Sequence, residues 1–80
     1  MAKAQHSHAY RIIPPLLREL RKSAKLTQRD LGDKLRKPQS WIHNCETANR
    51  RMDITELILW SRACGVEPQR VFSRVLERLK

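Results

Sequence analysis

Glycine is scarce here: there are two in 80 residues, so no Gly-rich loop of the kind that cradles a nucleotide phosphate can be traced along the chain. The aromatics are two Trp, one Tyr and one Phe, too few for the stacking platforms on which single-stranded RNA bases lie. The two cysteines, Cys45 and Cys64, form no CxxC pair, and no signal-peptide segment precedes them, so reduced thiols in a cytoplasmic protein are expected. His6, Ser7 and His8 make a His-Ser-His triplet, but only His43 and Cys45 could join it and neither has zinc-site spacing, so no metal or cofactor is expected. No Ser/His/Asp order is present, His43 and Cys45 point to different faces of a helix, and carboxylates are few; an enzyme is not expected. No apolar run approaches the ~20 residues of a membrane span, which argues for a soluble protein. Alternating strand patterns and internal repeats are missing too, leaving an all-α fold.

Acid is the other shortage. Eight Asp and Glu face 17 Lys and Arg, for a net charge of +9 and a pI near 10.6, which points to a polyanionic partner. The excess is uneven: residues 1–25 carry +5, residues 36–51 carry +3, and residues 52–65 carry −1.

What is present reads as five helices in one domain spanning residues 10–80, behind a flexible arm at residues 1–9. Pro14 and Pro15 suit a first helical turn, and Leu16, Leu17, Leu20 and Ala24 carry helix 1 from about Pro14 to Ala24. Thr27 caps helix 2, with Asp30 completing a capping box. Leu31 and Leu35 are its inward pair, and Arg36 and Lys37 form the turn. Pro38 is read as the first residue of helix 3, which runs to Glu46 with Trp41, Ile42 and Cys45 inward. Residues 47–52 form a loop; Asp53 caps helix 4, Gly65 stops it, and Glu67 and Pro68 open a helix 5 whose apolar stripe continues to the chain end.

Two short helices joined by a tight turn, the second exposing Gln39, Ser40 and Asn44 beside basic flanks, suit the major groove of DNA. Amides pair bidentately with adenine edges, while surrounding Lys and Arg, Lys37 among them, neutralise phosphates and release counterions. The segment LTQRDLGDKLRKPQSWIHNCE resembles the helix-turn-helix of the phage-repressor/Cro-like family, the XRE type, and the resemblance extends from about Leu16 to Phe72.

That resemblance implies a five-helix repressor-like domain that regulates transcription by binding double-stranded DNA. By position, it gives Gln28 the role of a phosphate ligand that also buttresses the recognition helix. Gln39, Ser40 and Asn44 fall where the family reads bases, with His43 at a neighbouring outward position. Thr47, Asn49, Arg50 and Arg51 match its phosphate-binding loop, and Arg21 and Glu46 match an ion pair joining helix 1 to the end of the recognition helix. Trp41 is read as a partly exposed packing aromatic within reach of the sugar–phosphate backbone.

Three positions depart from the family pattern: Arg36 and Lys25 stand where Gly is common, and Gly32 where Ala is usual, so a slightly reshaped turn is expected. Ile58, Leu59 and the stripe of helix 5 suggest a homodimer through helices 4 and 5, about residues 53–80, placing two recognition helices ~34 Å apart. The length resembles stand-alone phage regulators or restriction-modification controllers, with a bacterial or phage origin expected and the protein on the nucleoid when bound. The alternative is an antitoxin that also binds a protein toxin.

Overall fold

The computed structural model describes residues 7–80; the first six residues of the expected arm, His6 included, lie outside them. Ser7–Ala9 turn into a 3₁₀ helix at Tyr10–Ile12, which runs directly into α1 (Ile13–Ser23). Then follow α2 (Gln28–Leu35), α3 (Gln39–Glu46), α4 (Ile54–Ala63) and α5 (Pro68–Arg78), with no strand among the described residues. Among the described residues the fold is therefore all-α with five α-helices, as the periodicity predicts.

Local chemistry sets most of the boundaries. Thr27 Oγ1 accepts the Asp30 N–H at 3.0 Å while Asp30 returns a carboxylate to the Thr27 N–H at 2.9 Å. Asp53 and Glu56 repeat this reciprocal cap on α4, at 2.7 and 3.0 Å. Each box satisfies two backbone donors that a helix start would otherwise leave unpaired. Gly65, at φ 75°, follows the C-cap of α4 and turns the chain toward Pro68, which opens α5.

One boundary differs from expectation. Pro38 is not the first residue of α3 but its N-cap: its ψ of 156° is extended, so the helix begins at Gln39. Without a side-chain oxygen, Pro38 offers no cap of the Thr27 kind, and the first turn closes through the Trp41 N–H on the Pro38 carbonyl at 3.0 Å.

The turn between α2 and α3 keeps a left-handed residue despite lacking glycine. Arg36 sits at φ 56°, ψ 45°, and Lys25, directly after the C-cap of α1, is left-handed in the same way at φ 60°. Glycine appears instead at Gly32, where the Lys37 carbonyl passes so closely that an added Cβ would lie 2.6 Å from its oxygen. The Lys37 N–H also bonds the Gly32 carbonyl at 2.8 Å, so the turn folds back tightly onto α2. Gly32 is required by that approach, and the cost of glycine to helix propensity is the smaller effect.

The core lies where α1, α2, α3 and α4 meet. Leu16, Leu17 and Leu20 of α1, Leu31 of α2, Ile42 and Cys45 of α3, Trp60 of α4 and Val71 of α5 are fully buried. Trp60 is the largest of them, and its indole N–H donates to the Leu17 carbonyl at 3.1 Å, so its one polar atom is satisfied. Leu35 is only half-buried, packed at the edge of this cluster. Along α5, Val71 is buried and Phe72 and Val75 partly so, while Leu76 and Leu79 are exposed.

A second anchor ties the 3₁₀ helix to the loop between α3 and α4. The Tyr10 hydroxyl accepts the Met52 N–H at 2.8 Å in a buried bond, and Arg51 stacks over the Tyr10 ring at 5.4 Å. Met52 itself is buried, inside a segment that the sequence reads as a plain loop. The 3₁₀ turn thus holds down the loop that follows α3.

Candidate nucleic-acid interface

The helices α2 and α3 cross with the tight Arg36–Lys37 turn between them, and α3 leaves its Gln39, Ser40 and His43 side in solvent. Asn44 is half-buried on the same helix, and its carbonyl accepts from both the Asn49 and Arg50 N–H groups, at 2.9 and 3.1 Å. Ile42 and Cys45 occupy the opposite, fully buried side. Helical spacing thus separates a polar edge from a core edge on eight residues.

A relay of polar side chains connects the interior to that edge. Arg21 donates from Nε to Glu46 Oε2 at 2.6 Å and from Nη2 to Oε1 at 3.0 Å, and its Nη1 reaches the Leu26 carbonyl at 2.8 Å. The side chains of Arg21 and Glu46 are 10% and 3% exposed, so this bidentate pair is largely removed from water. The Arg21 guanidinium is held above its ordinary pKa chiefly by the hydrogen bond to Glu46. Glu46 Oε1 also accepts from Gln28 Nε2 at 3.2 Å, and Gln28 Oε1 accepts from Gln39 Nε2 at 3.5 Å. α1, α2 and α3 are therefore linked through one carboxylate, and the chain of bonds sets which way each amide faces.

The other positions expected to meet phosphates are distributed around this edge. Lys37 is exposed at the turn, with its ammonium 5.2 Å from the Trp41 ring centre. Trp41 is half-buried, tilted against Trp60 at 6.2 Å between centroids. In the loop after α3, Thr47 and Asn49 are exposed; the Thr47 hydroxyl donates to the His43 carbonyl and receives the Asn49 amide. Ala48 between them is left-handed at φ 64°, a strained position that no local sequence signal marks. Arg51 is exposed, resting on Tyr10.

Arg50 differs from its neighbours because it already has a partner. Both of its terminal nitrogens bond Glu56, each at 2.9 Å, and its guanidinium lies 4.9 Å over the Trp41 ring. The Glu56 carboxyl is held below its usual range chiefly by that hydrogen bond. The structure thus gives Arg50 a clamping role, joining loop, α3 and α4, that nothing local in the sequence announces.

Among the described residues no group of three or more His, Cys, Asp or Glu is placed to hold a metal. Cys45 and Cys64 are free and buried, and burial pushes both thiols up to about 11. No helix among the described residues is long and apolar enough to cross a membrane.

The model of a family described as a helix-turn-helix domain matches residues 16–78. A solved structure titled an XRE-family like protein, from Pseudomonas syringae pv. tomato str. DC3000, superposes with a TM-score of 0.84 at 32% identity, covering 94% of this chain and 92% of that one. The chain belongs to the XRE-type helix-turn-helix family. No curated protein matches it. Family and fold together make it a DNA-binding regulator, in a family that is not enzymatic. The relay from Arg21 through Glu46 and Gln28 to Gln39 then lies within the helix-turn-helix and the α1 face that supports it.

Proposed function

We propose that this chain recognises a specific double-stranded DNA sequence by placing α3 in the major groove, and that it represses transcription as a homodimer. The observation that carries the reading is the state of Gln39. One N–H of its amide points at Gln28, leaving its carbonyl oxygen and second N–H in solvent. That remaining pair is complementary to adenine, whose groove edge offers a donor at N6 and an acceptor at N7. Ser40 and His43 extend the same exposed edge, and Asn44 supplies a further amide beside them. Gln28, Lys37, Thr47, Asn49 and Arg51 flank that edge as phosphate ligands, with Trp41 against the sugars. Arg50 contributes mainly by holding the loop to Glu56.

The homodimer reading is supported by Leu59 of α4, Leu76 of α5 and Leu79 at the α5 C-cap, exposed at 50, 66 and 49%. Assigning them to a second copy, not to a toxin protein, also gives the twofold arrangement that reads a near-palindromic site. Sedimentation of the protein with and without DNA tests it: a monomer in both cases removes the dimer.

Selection from a random duplex pool tests the recognition reading. Gln39→Ala should lose ~1–3 kcal/mol on the selected site while binding random DNA as the parent does. Equal losses on both kinds of DNA would refute base reading by this residue.

A further inference from the structure

A charged cleft lies beside the reading edge, between the exposed face of α1 and the end of α3. It has a volume of about 760 Å³ and is lined by Arg11, Arg18, Lys22, Glu19, Glu46 and Thr47, with Ala48 at its edge. Arg11, Arg18 and Lys22 recur at a spacing of seven and four, which keeps them on one side of the 3₁₀ turn and α1.

Its charge is one-sided. Both acids in the lining are already engaged: Glu19 accepts from two nitrogens of Arg78, at 2.6 and 3.0 Å, and Glu46 is held by Arg21 and Gln28. Arg11, Arg18 and Lys22 are exposed, and none forms an ion pair among the described residues. Three cations without an ion-pair partner among the described residues therefore line a cleft whose two acids are already paired. At its edge, the Ala48 N–H has no protein acceptor among the described residues.

The cleft is also continuous with the reading edge. Arg18, Glu46 and Thr47 line a neighbouring depression together with Gln28 and His43, so Arg18 stands at the junction of the two. A duplex with α3 in its major groove carries a phosphate strand along each rim of that groove, past the α3 C-terminus.

We infer that Arg11, Arg18 and Lys22 form a second phosphate-binding track, on α1, which grips the DNA backbone beyond the segment contacted by the helix-turn-helix and the α3–α4 loop. The inference rests on the proposed DNA reading. The track adds affinity and footprint length without base discrimination, since phosphate contacts carry no sequence information.

The test uses the full chain and a long duplex selected by the parent protein from a random pool. Binding is measured across a salt series for the parent, for Arg18→Gln, for the triple variant Arg11→Gln/Arg18→Gln/Lys22→Gln, and for Lys34→Gln as a charge-removal control outside the cleft, the reading edge and the proposed dimer surface. All the substituted residues are exposed, and thermal melting confirms that each variant is folded. Removing one phosphate ligand should flatten the plot of log K against log salt by about 0.9. The single variant should therefore flatten it by about 0.9 and the triple by about 2.7 for each protomer bound, twice that for the homodimer, with the control unchanged. Ethylation interference should disappear at the outermost phosphates in the triple variant and persist at the inner ones.

Parent-like slope and interference in the triple variant would overturn the α1 track and leave the helix-turn-helix reading standing. The same flattening in the control would also overturn it, because net charge would then be the cause. A parent protein that selects no duplex would overturn both together.

Discussion

Replacing Glu46 by Leu should unfold this domain far more readily than replacing both members of its ion pair. Glu46→Leu removes two of the three hydrogen bonds of Arg21, at 2.6 and 3.0 Å, and leaves a guanidinium whose side chain is 10% exposed with only the Leu26 carbonyl. Hydrogen bonds to charged groups contribute about 1.5–3 kcal/mol each, so two amount to roughly 3–6 kcal/mol, overlapping the ~3–5 kcal/mol found when a buried pair is broken from one side. The surviving Leu26 bond, and the open cleft that Arg21 borders between α1 and α2, place the loss near the lower end, about 3 kcal/mol. For a domain of this size, whose total stability is roughly 4–12 kcal/mol, that lowers Tm by about 12–24 °C.

The double substitution Arg21→Met/Glu46→Leu removes both charges and fills the space with apolar atoms, so it should lie within ~1 kcal/mol of the parent. Urea unfolding at pH 7 reads both through the midpoint at unchanged slope. DNA binding separates position from stability: the double variant, though folded, strips Gln28 of its acceptor and should lose affinity for the selected site. A single variant within ~1 kcal/mol of the parent, or a double variant less stable than the single, would refute this role of the pair.

Four further outcomes follow from the same geometry. Gly32→Ala should destabilise by ~1–3 kcal/mol in thermal unfolding, because the 2.6 Å approach of the Lys37 carbonyl outweighs the ~1 kcal/mol gain in helix propensity. Lys25→Gly should raise stability by about 1 kcal/mol in the same assay, since φ 60° costs any residue with a Cβ. Cys45 and Cys64, with thiols pushed up to about 11, should resist a thiol reagent at pH 7 in the native protein and react on unfolding; fast labelling without urea would contradict their burial. Glu19 and Glu56 are both held below the ordinary carboxyl value of 4.5 by arginine partners. Depressed carboxyls bind fewer protons folded than unfolded, so the urea midpoint should change little between pH 7 and about 5.5 and fall as pH drops through about 4.5, a fall that is smaller in Glu56→Gln.

Much of the fold is written locally. Thr27 with Asp30, Asp53 ahead of its helix, Gly65 after it and Pro68 at the next start each act on neighbours within four residues, so their chemistry can be read without knowing the tertiary structure. Pro38 is harder because proline suits either the first helical position or the residue before it, and only ψ decides. The long-range features are less legible. Tyr10 bonds Met52 across 42 residues, and whether residues 47–52 are a loose or an anchored loop depends on that partner. Arg50 presents the same charge as Arg51, yet Glu56 and the Trp41 ring engage the first while the second lies over Tyr10. The relay to Gln39 depends on side chains from three helices converging on Glu46, which requires the helices to be packed first.

The most direct measurement is of intermolecular NOEs between the labelled protein and its selected duplex. With α3 in the major groove, the Gln39 amide, Ser40 and His43 should show NOEs to major-groove protons, namely adenine H8, cytosine H5 and thymine methyls. NOEs confined to minor-groove H1′ and adenine H2, or perturbations confined to α4 and α5, would contradict that placement.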